Sequence, residues 1–199
     1  MAEIHHTTMT PTKLELLTAW LPKQSWYVGD TDAPELVKVG GFRLDDPEGA
    51  VGIEFMVVVD AGAREPVAYL VPMGYRGEVL RDAPAEALIG TSEHGVLGTR
   101  WLYDGVHDPV VTAQLGALLR GEAAAQQQSR SDTPDPTVTV HGAGPGDVFD
   151  VQVNRVLKSE EAAPGSYGRL VAGWAWPDGT AVRGVLATVE PRPEVARTR

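Results

Sequence analysis

The chain has no cysteine, which excludes disulfides, thiolate metal sites and cysteine nucleophiles. Asparagine occurs once, at Asn154, and arginine far outnumbers lysine; this bias reads as GC-rich coding, not as function. No run approaches the roughly 18 consecutive apolar residues of a membrane-spanning helix. The N-terminus has no basic stretch leading into an apolar core, so no secretory signal is expected and the expected compartment is the cytoplasm. Positive charge is scarce: 17 basic residues face 27 acidic ones, for a net charge of −10. Such a field repels phosphate backbones and anionic lipid, so neither nucleic acid nor membrane is expected as a partner. The acidic surface by itself keeps the protein dispersed.

What remains is an ordinary globular composition, 43% hydrophobic and 22% charged over 199 residues. That is enough chain to bury a core without staples, in one large domain or two small ones. Residues 3–9 have strand-compatible composition. Thr10-Pro11 offers an N-cap and a first-turn proline for a helix to about Leu21, where Pro22 follows. Strands are expected at Leu36–Leu44, with a bend at Gly40-Gly41, at Val51–Val59 and at Pro66–Tyr75, as an antiparallel meander. In the second of these Val51, Ile53, Phe55, Val57 and Val59 share one face, opposite Gly52 and Glu54. Residues 81–95 read as an excursion with one short helical or irregular piece, before a strand at Val96–Tyr103. Asp108-Pro109 opens a second helix, with Val111, Leu115, Leu118 and Leu119 on one side, ending near Gly121.

The stretch 123–136, rich in Ala, Gln and Pro and without apolar period, reads as a linker or surface loop. Four β segments follow: Thr137–His141, Asp147–Leu157, Gly168–Trp176 and Ala181–Val189. Pro177-Asp178-Gly179-Thr180 joins the last two as a hairpin turn, and the tail from 191 to 199 is expected to be flexible. The expected class is α+β: two helices packed on a curved antiparallel sheet over 1–122, then a β meander over 137–190.

Catalytic motifs are hard to find. His5 and His6 are adjacent in an expected strand, so they point to opposite faces and cannot chelate together. No H-x-H or H-E-x-x-H spacing exists. A metal site built from His94, His107 and Asp104 is conceivable in three dimensions, but a loop histidine near an aspartate reads first as a hydrogen-bonded or solvated group. There is no G-x-S-x-G; Thr91 and Ser92 read as turn or capping residues. Gly142 to Gly146 carries a proline and no following Lys-Ser/Thr, so it reads as a turn, not a phosphate loop. Asp45-Asp46 and Glu160-Glu161 read as solvated turns. Neither a cofactor nor a metal is expected. The aromatics come in close pairs; Trp174 and Trp176 share a strand face with Leu170 and Ala172, as a core face does.

The segment Ala19-Trp20-Leu21-Pro22-Lys23-Gln24-Ser25-Trp26-Tyr27 resembles the opening helix and aromatic turn of the actinobacterial maltokinase N-terminal cap domain. Val71 to Arg76, Ala87 to Gly90, and Trp101 to Asp104 leading to His107-Asp108-Pro109 are similar to its later landmarks. The resemblance covers about residues 13–121, and the chain also resembles cap-like proteins sometimes labelled 1,4-α-glucan branching proteins. It implies a cystatin-like cap, a helix cradled by a curved antiparallel sheet. In maltokinases this cap precedes a body that phosphorylates maltose with ATP. After 136 no His-Gly-Asp catalytic loop or metal-holding Asp motif follows, and Arg155 to Lys158 only faintly matches a kinase's ATP-pairing strand, so catalysis is not expected.

Two functional readings follow. One is a non-catalytic cap-like module of glycogen, maltose or trehalose metabolism. It would dock onto a sugar kinase, an α-glucan or trehalose enzyme, or itself, with Trp26, Tyr27 and the loop Tyr103, Asp104, His107 and Asp108 as contacts. The alternative is a sugar-binding protein or enzyme with a pocket on the concave sheet face, formed by Tyr75, Arg76, His94, Trp101 and His107.

Overall fold

A computed structural model of the chain describes residues 9–130, 132–142, 149–159 and 168–191. The elements are β1 (Met9–Thr10), α1 (Lys13–Trp20), β2 (Leu36–Leu44), β3 (Val51–Asp60), β4 (Val67–Arg76), β5 (Leu88–His94), β6 (Gly98–Asp104) and α2 (Pro109–Leu119). They continue with β7 (Thr139–His141), β8 (Phe149–Val153), β9 (Val156–Leu157), β10 (Gly168–Ala175) and β11 (Ala181–Pro191). Among the described residues the strands form one 11-stranded sheet in the order β1-β5-β6-β4-β3-β2-β10-β11-β8, with β7 paired to β10 and β9 to β4. Every pairing is antiparallel. The class is α+β.

The alternation along β3 decides the layering. Val51, Ile53, Phe55, Val57 and Val59 enter one core, with Val111, Leu115, Leu118 and Leu119 of α2 and with Leu170, Trp174 and Leu186 of the C-terminal strands. Met56 and Val58 enter a second core, under Leu17 and Trp20 of α1. The two helices therefore cover opposite faces of the sheet. Each fully buried Val, Leu or Phe stabilises the fold by roughly 1.5–3 kcal/mol. Glu54, on the same side of β3 as Met56 and Val58, is 4% exposed.

Three expectations are corrected. Thr12, not Thr10, caps α1: its hydroxyl accepts from the Glu15 amide, and the Glu15 carboxylate accepts from the Thr12 amide at 2.7 Å. That reciprocal pair satisfies two helix-end donors, and the spacing T-x-x-E announces it. The excursion over 81–95 contains a full strand, β5, which pairs with both β6 and β1. The expected strand over 147–157 is split where it is described, into β8, which pairs with β11, and β9, which pairs with β4, with Asn154 and Arg155 between them.

Gly40 and Gly41 sit at an irregularity of β2, which stays paired with β3 from Leu36 to Leu44. Its register with β3 shifts between Lys38 and Gly40, and Gly40 is the residue that pairs with Trp174 of β10. A Cβ on Gly41, whose φ is +122°, would lie 2.0 Å from the Phe55 carbonyl oxygen. Beyond this point Arg43 exchanges both backbone hydrogen bonds with Gln126, at 2.8 and 2.9 Å, so Gln126 covers the edge of β2 there. The C-terminal hairpin closes as expected, with the Trp176 amide donating to the Thr180 carbonyl at 2.9 Å. Residues 1–8, including His5 and His6, and the expectations at 143–146, 160–161 and 192–199 lie outside the described residues.

Candidate functional site

The residues nominated from the sequence fall into three separate places. The first is the aromatic turn after α1. Trp26 packs edge-on to Trp20 with centroids 5.8 Å apart, and Tyr27 lies 5.6 Å from Tyr69. The Tyr27 hydroxyl donates to buried Asp60 at 3.2 Å; burial, with the Asp60 charge, pushes its pKa up to about 12. Both Trp26 and Tyr27 keep part of their surface in solvent. Arg155 ties this turn to the end of β6. Its guanidinium stands 4.9 Å from the Trp26 ring centroid and donates to Asp104 at 2.5 Å. Strands β6 and β9 lie on β4, β6 from Met73 to Arg76 and β9 at Ala68 and Tyr69, which explains how residues 51 positions apart meet.

The second place is the start of α2. Asp108 is fully buried and takes two bonds from Arg76, at 2.6 and 2.7 Å, while also capping α2 through the amides of Val110 and Val111. The hydrogen bonds from Arg76 to Asp108 raise the Arg76 pKa above its ordinary value. Gly74 makes room for this pair, since a Cβ there would lie 2.5 Å from an Asp108 oxygen. Tyr103 is buried, its hydroxyl accepting from the Leu80 amide. His107 is exposed beside them and Trp101 is half-buried.

The third place is a cleft of about 440 Å³ on the α1 side, lined by Tyr75 and His94 but not by Arg76, Trp101 or His107. Its floor is Glu54. This carboxylate is 5% exposed and accepts from Lys13 at 2.5 Å, Lys38 at 3.4 Å, Tyr75 at 2.6 Å and Gln128 at 2.8 Å. Burial pushes the Glu54 pKa up, but the two ammonium groups and the hydrogen bonds outweigh it, and the net direction is down. Tyr75 is driven the other way, by burial first and by the Glu54 charge second. The His94 Nδ1 accepts from the Val96 and Leu97 amides, which holds the turn between β5 and β6. Among the described residues no three His, Asp or Glu side chains cluster to hold a metal ion, and no helix is long and apolar enough to cross a membrane.

This framework has a family counterpart. Residues 20–108 match the family model of the maltokinase N-terminal cap domain. The matched stretch runs from the end of α1 to the residue that caps α2, and so holds β2 to β6, with Trp26, Tyr27, Arg76, Asp104 and Asp108 but not Lys13, Gln128 or Arg155. No curated protein matches the chain.

Sequence reasoning missed Glu54, Lys13, Lys38, Gln128 and Arg155. For Glu54 the signal was available: Met56 and Val58 lie on its side of β3, and a carboxylate flanked by apolar residues on a covered face must find cations. Arg155 had no such signal, because its partners Asp104 and Trp26 are remote in sequence.

Proposed function

We propose that the cap-like part of this chain is a non-catalytic, cystatin-like docking module of glycogen, maltose or trehalose metabolism, seated on an enzyme or on a second copy of itself. The observation that carries this reading is the match of residues 20–108 to the maltokinase N-terminal cap domain. The aromatic turn supports it as the contact. Trp26 and Tyr27 are partly accessible, Val28 beside them is 60% exposed, and Arg155 and Asp60 hold the two rings in place. Aromatic groups held rigidly at a surface lose little conformational freedom when a partner covers them.

The test is a pull-down from the native cell with the tagged protein, followed by light scattering of the purified protein. Enrichment of a sugar kinase or of an α-glucan or trehalose enzyme, lost in Trp26→Ala, supports the module. A concentration-dependent dimer lost in the same variant supports self-docking. A monomer recovered alone overturns both.

A further inference from the structure

The cleft over Glu54 has the opposite charge to the protein around it. Lys13, Lys38, Arg43 and Arg100 line it, against only two carboxylates, Glu54 and Asp46. Neither carboxylate is free to face a ligand. Glu54 is spent on the two lysines, Tyr75 and Gln128. Asp46 is buried and accepts the amides of Glu48, Ala50 and Val51 in its own turn. The lining therefore has a surplus of two positive charges in a chain whose net charge is −10.

The cations are placed differently from the many solvated arginines of a surface. Lys13 and Lys38 are anchored by one oxygen each of Glu54 and keep about a third of their side chains accessible. Arg43 and Arg100 make no ion pair among the described residues, and the Nε–H of each is buried without an acceptor. Both side chains are only partly buried, so their guanidinium charge, unpaired with any carboxylate among the described residues, is left for an anion entering the cleft. Gly52, on the same face, leaves the floor open beside Tyr75: a Cβ there would lie 3.4 Å from the ring.

We infer that this cleft binds a small phosphate-bearing molecule. A phosphate group carries a charge of about −1.5 to −2 at neutral pH and accepts from several directions, which matches the surplus charge and its placement on α1, β2 and β6. The volume lies within the usual range of roughly 300–1,000 Å³ for small-ligand sites. A polymeric anion is disfavoured, because the acidic surface outside the cleft repels the rest of the chain. Tyr75, His94 and Gln128 line the same cleft beside the cations. This inference stands independently of the docking reading.

Isothermal titration calorimetry of the full chain tests it, with pyrophosphate and glucose 6-phosphate as probes and glucose as the neutral control. Saturable binding of either phosphate, with no heat from glucose, is expected. Arg43→Gln and Arg100→Gln should each weaken it about tenfold, since each removes charge-assisted hydrogen bonds. Gly52→Val should abolish it by filling the floor while every charge remains, so a charge variant that melts early does not leave the question open. Pyrophosphate binding alone indicates that the cleft takes the phosphate group by itself; tighter binding of glucose 6-phosphate indicates that the rest of the ligand contributes. No saturable binding of either probe at millimolar concentration, equal binding of glucose, or binding unchanged in all three variants overturns the inference.

Discussion

Asp108 is the most demanding position to perturb, because one buried carboxylate does two jobs. Asp108→Ala removes two bonds from Arg76 and two amide bonds at the start of α2. Loss of the cap costs about 1 kcal/mol. The stranded guanidinium of Arg76 is only 16% exposed, so solvent cannot take over the role of its partner, and breaking such a pair costs roughly 3–5 kcal/mol. The total, about 4–6 kcal/mol, approaches the roughly 5–15 kcal/mol that a domain has in all, so the alanine variant is expected to be largely unfolded at 37 °C. Asp108→Asn separates the two jobs. It keeps an oxygen for the cap, loses the charge, and should cost about 2–3 kcal/mol, a melting-point drop of roughly 4–12 °C for a chain of this length. Thermal denaturation followed by circular dichroism measures both variants. In a double-mutant cycle with Arg76→Met, the pair should cost at least about 1 kcal/mol less than the two single changes added together. An Asp108→Asn protein that melts within about 2 °C of the wild type would refute the reasoning, and would return Asp108 to the candidate partner contacts and Arg76 to the candidate pocket groups.

Three other outcomes are expected. Glu54→Gln should cost about 2 kcal/mol in urea denaturation at pH 7, chiefly through Tyr75, since the lysines are accessible enough to be resolvated. Because the folded-state pKa of Glu54 lies below its ordinary value near 4.5, its stabilisation is complete above that pH and is lost as pH falls through the folded value; the gap between wild type and variant should close on acidification, and a gap that is independent of pH counts against the assignment. Arg155→Met leaves Asp104 buried with its charge unpaired and should cost about 3 kcal/mol, with a change in the fluorescence of Trp26 that Lys158→Met does not produce. Gly41→Ala meets both a left-handed backbone and the Phe55 carbonyl, and should cost at least about 2 kcal/mol, read as a lower urea midpoint; a wild-type midpoint would show that β2 tolerates a side chain at Gly41.

Strands β2, β3, β4, β10 and β11 and helix α2 were legible because their patterns are local. The alternation from Val51 to Val59, the Asp108-Pro109 start and the Pro-Asp-Gly-Thr turn each name their structure within a dozen residues. Strand β5 was not legible. Gly90, Ser92 and Glu93 dilute its apolar signal, and what makes it a strand is pairing on both edges, with β1 and β6. The nominated sites divide in the same way. Trp26 and Tyr27 could be picked as a close aromatic pair, but Arg76 and Asp108 were picked without any indication that they bond to each other.

By itself the sequence determined the class, most of the elements, the cap-like segment and the acidic character, since these follow from nearest neighbours, periods and composition. Tertiary structure alone decided that α1 and α2 lie on opposite faces of one sheet, that Glu54 is buried under two lysines, and that Arg155 joins the C-terminal strands to the aromatic turn. The reason is physical. Burial of a charge or the meeting of two strand ends depends on which chain segments cover the same surface, and antiparallel pairing brings together residues whose separation in sequence carries no trace of that contact.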